Sequence, residues 1–307
     1  MVGFKTLLNQ QGFRLFLLVL PLLILVFVFS YMPLYGWIYS FYNYKPGRDL
    51  FSTDFVGFQN FKMMFTDHYS MTNIVRVMKN TLGMSFLGIV TSVFPLIFAI
   101  LLSEIKIMRF RKTVQTLVTI PNFISWVLVY SIAYAMFSTS DGLVNRVLVN
   151  SGVLKEGINF LASSHHVWLS MLGYGIWKGL GWSAIIYIAA LTSIDAEQYE
   201  AAKIDGAGRM QSIWHITVPG LLPTFFVLLL LSIGNLLNNG LEHYFVFQNA
   251  MNKDAIEVLD LYVYNQGMVG YHYSFATAVG MLKSVVSVLL LIFANFLSKI
   301  SRGESII

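Results

Sequence analysis

The sequence contains no cysteine and little charge, and both absences restrict what the chain can be. Without cysteine, disulfides, thiolate metal sites and a cysteine nucleophile are excluded. Charged residues make up only 11% of the 307 residues, whereas an ordinary soluble domain has roughly 25%. Hydrophobic residues reach 56%. This composition predicts an integral membrane protein, whose length is counted in spans of about 20 apolar residues.

Motifs for catalysis and nucleotide binding are also missing. No His-Glu-x-x-His sequence occurs, and the absence of any Gly-Lys dipeptide excludes the phosphate loop of an ATPase. We therefore expect no catalytic residue, no metal site and no cofactor bound by this chain. The net charge of +5 does not indicate nucleic-acid binding, because the basic residues lie between apolar runs, as in a protein that faces anionic lipid.

The N-terminus resembles a signal peptide in its order of charge and apolarity. Lys5 and Arg14 precede an apolar run at residues 15–29. An Ala-x-Ala cleavage site is missing, however, since the first alanine of the chain is Ala99. This pattern favours an uncleaved first membrane span.

Six apolar runs are long enough to cross a bilayer. They lie at residues 15–35, 82–103, 114–137, 167–191, 221–241 and 275–297. The stretch 42–80 is aromatic but too polar to span, so it is predicted as an external loop with a short interfacial helix. The fold class is therefore an all-α membrane protein with six transmembrane helices.

Orientation follows from the basic residues in the short loops. Between spans two and three lie four bases, Lys106, Arg109, Arg111 and Lys112. Because short loops rich in Lys and Arg remain in the cytoplasm, this loop is predicted to be cytoplasmic. With six spans, both termini and the loop 192–220 then also face the cytoplasm.

The loop between spans four and five has the pattern of ordered structure. Asp195 followed by Gln198 indicates a helix start, and Gly206 can end that helix in a left-handed conformation. Met210, Ile213 and Trp214 then form the apolar stripe of a second short helix. This pattern predicts a docking site, with a helix lying on the lipid surface as the alternative.

One stretch of this loop resembles a family motif. Glu200-Ala201-Ala202 is followed after three residues by Gly206 and after nine more by Ile216-Thr217-Val218-Pro219. This spacing resembles the EAA motif of binding-protein-dependent ABC importer permeases, with Val218 where leucine is usual. Residues 55–61 and 142–145 resemble further segments of that family. Residues 260–264, 275–280 and 283–284 resemble its branch for complex carbohydrates.

The resemblance implies a type I importer of sugars or oligosaccharides that works by alternating access. It implies a second permease, usually in a heterodimer, two ATPase subunits that bind the ATP and Mg²⁺, and an extracellular or periplasmic solute-binding protein. The membrane would be a bacterial or archaeal cell membrane. The chain would divide into an N-terminal span and external loop (1–80), a permease core (81–300, EAA loop 195–219) and a cytoplasmic tail (301–307). The ATPase-coupling residues would be Glu200, Ala201, Ala202, Gly206, Ile213, Trp214, Ile216 and Pro219.

Candidate residues for the solute path lie on spans four to six. Sugars present both C–H patches and hydroxyls, which suits aromatic faces beside amides; the candidates are Trp177, Lys178, Trp182, Asn235, Asn238, Asn239 and Lys283. A mid-bilayer lysine costs roughly 2.5–3.5 kcal/mol on insertion scales, so Lys178 and Lys283 have either a substrate role or a structural one. The stripe Gly175, Gly179 and Ser183 favours close helix packing.

Three alternatives remain open at this point. The first is a permease of the same type for a non-sugar organic solute. The second is a multi-pass membrane enzyme, against which the missing motifs weigh. The third is an ion channel, because Leu172-Gly173-Tyr174-Gly175 resembles a potassium filter. A filter needs an irregular re-entrant loop, whereas this segment lies inside a predicted continuous span.

Overall fold

A computed structural model describes residues 11–302. The regular structure of these residues is helical, apart from one antiparallel bridge between Tyr42 and Phe55. The all-α prediction is confirmed for this part of the chain. The helices of the N-terminal half are α1 (Gln11–Val26), α2 (Gln59–Thr66), α3 (His68–Thr91), α4 (Val93–Ser103), α5 (Met108–Thr119), α6 (Trp126–Phe137) and α7 (Leu143–Asn150). Those of the C-terminal half are α8 (Val167–Leu191), α9 (Ala196–Ile204), α10 (Arg209–Ser212), α11 (Val218–Gly234), α12 (Glu242–Phe247), α13 (Lys253–Ile256), α14 (Leu259–Tyr264) and α15 (Tyr273–Arg302).

Several of these helices are long and apolar enough to cross a membrane. Within residues 11–302, four helical stretches meet this criterion: Leu15–Phe41, His68–Ser103, Arg209–Gly234 and Tyr273–Phe296. Two further helix pairs meet it together but are bent by 104° and 71°: Met108–Phe123 with Trp126–Phe137, and Val167–Leu191 with Ala196–Ile204. The structure thus describes a multi-pass membrane protein, with up to six spans if each bent pair is one span.

Several predicted boundaries differ from those of the helices. The predicted external loop 42–80 contains α2 and then the first turns of α3, which begins at His68 instead of residue 82. The Asp67 carboxylate accepts the backbone N–H of Ser70 at 2.8 Å, which starts α3 early and lowers the pKa of Asp67. Span five ends at Gly234, before the predicted limit of residue 241.

The chain folds as two compact units, and the first contains residues 11–71 and 263–282 of the described part. An aromatic cluster organises the segment after the first span. The ring of Phe41 lies 5.5 Å from that of Phe58 and 5.7 Å from that of Phe61. The Asn60 amide donates to the Ser40 carbonyl at 2.9 Å, which fixes α2 against this segment.

The second unit contains residues 72–262 and 283–302 of the described part, and it has two apolar cores. One core joins α3, α6, α8 and the short helices α12 to α14, around Met84, Val129, Met171, Phe247 and Leu261. The other joins α4, α8 and α11, around Ala99, Ala184, Tyr187 and Leu221. Helix α8 contributes to both cores.

Between α5 and α6 the chain breaks sharply. A 3-10 turn at Ile120–Phe123 follows α5, and the 104° bend separates it from α6. Pro121 lies in that turn, where its ring and missing N–H prevent α5 from continuing. Ser125 restarts the helix by accepting the Leu128 N–H at 3.4 Å. The break leaves backbone carbonyls without helical partners at this point of the chain.

Candidate functional site

A cavity of about 600 Å³ lies in the second unit. Its walls come from α3, α4, α8, α11 and the segment that follows α11. Its polar lining consists of hydroxyl and amide side chains: Ser85, Thr91, Ser92, Ser183, Ser232, Asn235, Asn238 and Asn239. Trp182, Tyr187, His243 and Tyr244 add aromatic surface. None of the described residues that line the cavity is Asp, Glu, Lys or Arg. The cavity can therefore bind a solute through aromatic faces and neutral hydrogen-bonding groups.

The small-residue stripe of α8 opens onto this cavity. Gly175, Gly179 and Ser183 all line it. A Cβ placed on Gly179 would meet nothing within 4 Å, and one on Gly175 would meet only a His243 ring atom at 3.9 Å. The predicted close packing along this stripe is therefore wrong; the stripe makes room for the cavity. The close approach occurs instead at Gly181, whose Cβ position lies against the Val118 backbone.

The three predicted asparagines lie together at the cavity, but beyond the end of their helix. Gly234 ends α11, and Asn235 caps it while donating its amide to the Leu231 carbonyl at 3.0 Å. Asn239 donates to the Ser85 hydroxyl of α3 at 2.9 Å. Asn239 Oδ1 is buried and has no hydrogen-bond partner within the described part of the chain. Asn239 thus places a buried acceptor next to the cavity.

Lys178 does not line the cavity but holds the break between α5 and α6. Its Nζ donates to the carbonyls of Pro121, Asn122 and Ile124, at 3.3, 2.7 and 2.5 Å. An ammonium has three N–H donors, and here each has an oxygen acceptor. The Lys178 ammonium therefore satisfies the hydrogen-bonding capacity of the carbonyls at the break, and these carbonyls satisfy its three N–H groups.

Two aromatic contacts connect this break to the walls of the cavity. Phe123, before the break, lies edge-on to Trp182 with ring centroids 5.8 Å apart. Trp126, after the break, stacks on His243 with centroids 3.7 Å apart and planes at 10°. Since Trp182 and His243 both line the cavity, the position of the break determines where these two walls stand.

His243 is a site residue that the sequence prediction missed. It follows the predicted end of span five and belongs to no motif, so only its spatial neighbours reveal it. Burial, and then the nearby Lys178 ammonium, lower the pKa of His243 to about 4, so its imidazole is neutral near pH 7. Its Nε2 is buried and has no partner among the residues that the structure describes.

The remaining two path candidates lie elsewhere. Trp177 lines a separate, more apolar cavity of about 420 Å³, together with α6 residues such as Val129 and Ala133. Lys283 forms an ion pair and hydrogen bond with Asp260, and both side chains are largely buried. Asp260 also accepts the Gly240 N–H at 3.0 Å. Lys283 thus has a structural partner and does not line the solute-sized cavity.

The loop between α8 and α11 contains the helix that the sequence predicts. Helix α9 begins directly after Asp195, whose carboxylate accepts the Glu197 N–H at 2.9 Å. It ends before Gly206, which has the left-handed φ of +80°. Glu200 and Ala201 are exposed on this helix. Tyr199 is hydrogen-bonded to Thr217 at 2.9 Å, which ties α9 to the chain leading into α11.

The predicted second short helix is not a separate element. Helix α10 continues through a π-helical turn, Ile213–Thr217, into α11, so that Arg209–Gly234 is one span. Ile213 packs against the core of α4, α8 and α11. Met210 and Trp214 remain 65% and 63% exposed. The apolar stripe is therefore divided between an inward contact and an exposed surface. Ile204, the last residue of α9, is 86% exposed.

Comparison with known proteins gives consistent similarities. The sequence profile of the family described as "Binding-protein-dependent transport system inner membrane component" matches residues 92–302. The polygalacturonan/rhamnogalacturonan transport system permease protein YteP of Bacillus subtilis (strain 168) is 38% identical over 300 residues, 97% of this chain and 91% of the relative. The protein LplB of the same strain is 36% identical over 286 residues, 93% of this chain and 88% of the relative.

Solved structures give the same result for the fold. A chain of a bacterial ABC transporter involved in the import of the acidic polysaccharide alginate matches with a TM-score of 0.83 at 31% identity, over 95% of this chain and 97% of that one. The bacterial alginate ABC transporter in complex with an alginate pentasaccharide-bound periplasmic protein matches with a TM-score of 0.84, also at 31% identity, over 96% and 97%.

Proposed function

The chain belongs to the family of binding-protein-dependent transport system inner membrane components, and from this we propose that it is the permease subunit of an ATP-driven importer of oligosaccharides. Of the relatives named above, YteP is named as a permease for polygalacturonan and rhamnogalacturonan transport, and the solved transporter is involved in the import of alginate. All of these polymers contain uronic acids. We therefore propose an oligosaccharide that carries uronic acid residues as the solute.

The cavity between α8 and α11 is the proposed solute path. Its volume of about 600 Å³ falls in the range of ligand pockets, about 300–1,000 Å³. Trp182 offers an apolar face for the C–H surface of a sugar ring, and Asn235, Asn238 and Asn239 offer amides for its hydroxyls. A site near the midplane that rigid-body motion opens to alternate sides is typical of secondary and ATP-driven transporters built on helix bundles.

One observation supports this proposal most strongly. Helices α8 and α11 both line the cavity, and the α9 segment connects them. The Tyr199–Thr217 hydrogen bond and the contact of Gly220 with Ile194 hold that segment against the start of α11. A displacement of α9 would therefore move the walls of the cavity.

We further propose that α9 is the coupling helix on which an ATPase subunit docks in the cytoplasm. Ile204 at the end of α9, and Met210 and Trp214 after it, have exposed apolar side chains, which a docked subunit would cover. Glu200 of α9 is exposed as well and can pair with a cation of the docked subunit. In the proposed transporter, two such subunits hydrolyse ATP. A second permease and a solute-binding protein are its remaining components.

The test is uptake by the complete transporter. The permease, its partner permease and the ATPases are purified together and reconstituted with ATP inside vesicles, and the binding protein is added outside with a uronate oligosaccharide. We expect ATP-dependent accumulation of the oligosaccharide, measured by mass spectrometry of the vesicle contents.

Controls for this experiment use the same vesicles. ADP in place of ATP, and omission of the binding protein, should each abolish accumulation. Mass spectrometry of the solute that copurifies with the binding protein identifies the natural ligand independently. ATP-dependent uptake of a non-carbohydrate solute, without uptake of any oligosaccharide, would contradict the proposed solute class.

A further inference from the structure

Lys178 carries a positive charge that no described carboxylate neutralises. Its three acceptors, Pro121, Asn122 and Ile124, are backbone carbonyls, which satisfy its N–H groups but bring no formal negative charge. The ion pairs found among residues 11–302 do not include it. Lys178 lies in the middle of α8, where the apolar surroundings screen a charge much less than water does.

This charge acts close to the cavity. The Lys178 ammonium lies 5.4 Å from the ring centroid of Trp126, and Trp126 stacks on His243 in the cavity wall. Burial is the main cause that keeps the pKa of His243 low, and the nearby ammonium acts in the same direction. Gly179, the next residue of α8, also lines the cavity.

No carboxylate belongs to the described lining of the cavity. Glu242 precedes the lining residue His243 but is itself exposed and does not line the cavity. The carboxylate of Asp260, which lies near Tyr244 of the lining, is paired with Lys283. The described residues thus place one partly buried cation beside the cavity and no carboxylate in its lining.

We propose that the charge of Lys178 makes this cavity favour anionic over neutral oligosaccharides. The inference rests on the proposed function and names the residue that determines the charge of the solute. Because all three N–H groups of Lys178 already have acceptors, its charge attracts the solute through space. Its hydrogen bonds to the break between α5 and α6 are kept. A carboxylate of the solute would then supply the counter-ion that Lys178 does not have among residues 11–302.

The test measures weak binding directly to the purified transporter without its binding protein. Saturation-transfer NMR titrations compare a uronate trisaccharide with its carboxyl-reduced, neutral counterpart of the same length and linkage. The wild-type complex should bind the uronate more tightly. In Lys178→Met, which keeps the length of the side chain but removes the charge, the uronate preference should fall by about tenfold, equivalent to about 1.4 kcal/mol.

Lys178→Arg is the matched control, because it keeps the charge while altering the geometry at the three carbonyls. A purely structural role predicts that Met and Arg weaken both sugars alike, whereas a charge effect predicts that Arg keeps the uronate preference and Met loses it. Equal binding of both sugars by the wild type overturns the inference, even if Lys178→Met cannot be purified. If the wild-type cavity binds neither sugar, the proposed function itself fails at this site.

Discussion

Arg209 and Glu104 join the start of α10 to the end of α4 through three contacts. Arg209 Nη2 lies 2.7 Å from Glu104 Oε2, its Nε donates to the same oxygen at 2.9 Å, and Nη2 also donates to the Glu104 carbonyl at 2.9 Å. Because α10 is continuous with α11, this contact links the loop that contains α9 to a third wall of the cavity.

We predict that Arg209→Gln impairs coupling while leaving the fold intact. The side chains of Arg209 and Glu104 are 65% and 36% exposed, and an exposed pair contributes only about 0–1 kcal/mol to stability. Loss of the Arg209–Glu104 pair should nevertheless allow the loop that contains α9 to move independently of α4. The ratio of ATP hydrolysed to solute imported should rise several-fold in reconstituted vesicles.

A charge reversal is the control for the Arg209–Glu104 contact. Glu104→Arg and Arg209→Glu should each uncouple the transporter, and the double variant should recover part of the coupling because the pair can re-form with opposite polarity. If the double variant is as uncoupled as the sum of the single variants, the contact does not transmit motion.

A second prediction concerns the orientation of the chain in the membrane. Ser140 is exposed after α6, and the basic cluster at residues 106–112 predicts that the end of α6 lies outside. Ser305 lies outside the described residues and is predicted to be cytoplasmic. In this cysteine-free chain, Ser140→Cys should react with an impermeant maleimide in intact cells, whereas Ser305→Cys should react only after permeabilisation.

Ser151→Cys is the positive control for this labelling. Ser151 is also exposed and follows α7 without an intervening span, so it should label as Ser140→Cys does. Labelling of Ser305→Cys from the outside would require a different number of spans.

A third prediction assigns the solute path to the large cavity. Trp182→Ala and Asn235→Ala remove an aromatic face and an amide from its lining. Each should lower transport several-fold without lowering basal ATPase activity, since neither residue lies near α9. The measurement pairs vesicle uptake with ATPase activity in the absence of solute.

Trp177→Ala is the matched control, because it truncates a tryptophan of the same helix that lines the other cavity. It should change transport less than Trp182→Ala does. Wild-type transport in Trp182→Ala, Asn235→Ala and their double variant would remove these positions from the path.

A fourth prediction concerns the coupling helix. Glu200→Ala removes an exposed charge from α9, and Gly206→Val places a β-branched residue at a left-handed φ of +80°. A residue with a Cβ in that conformation costs roughly 1–2 kcal/mol, so the turn after α9 should shift. Both variants should still insert into the membrane but should retain less ATPase subunit on copurification, and solute-stimulated hydrolysis should fall.

Two substitutions serve as controls for the coupling helix. Glu197→Ala removes a charge one turn earlier on the same helix and should leave ATPase binding near the wild-type value. Gly206→Asn should be tolerated better than Gly206→Val, because asparagine adopts the left-handed conformation more readily. Equal ATPase retention by all four variants and the wild type would show that α9 is not the docking helix.

Much of the fold could be predicted because its causes are local in sequence. Long apolar runs and scarce charge require a membrane protein whose backbone is satisfied within helices. The Asp195 cap and the glycine at Gly206 act on their own neighbours, so α9 was predictable. The motif beginning at Glu200 gave the family, which the comparisons confirm.

The prediction of the site was less complete. Trp182, Asn235, Asn238 and Asn239 were expected to gather, and they line one cavity. The sequence favoured helix packing for the stripe at Gly175 and Gly179 and left the role of Lys178 open, because a spacing along one helix does not show what lies opposite.

Composition, apolar run length and motif spacing by themselves determined that this chain is an all-helical membrane permease with an ordered loop before its fifth apolar run. Only the tertiary structure showed that Lys178 donates hydrogen bonds to the carbonyls of a broken span and that Lys283 pairs with Asp260. The same holds for His243, which lies in the cavity wall against Trp126. The physical reason is that the function of a buried charged side chain depends on which acceptors lie within hydrogen-bonding distance of it. Those acceptors come from segments far away in sequence, which only the folded chain brings together.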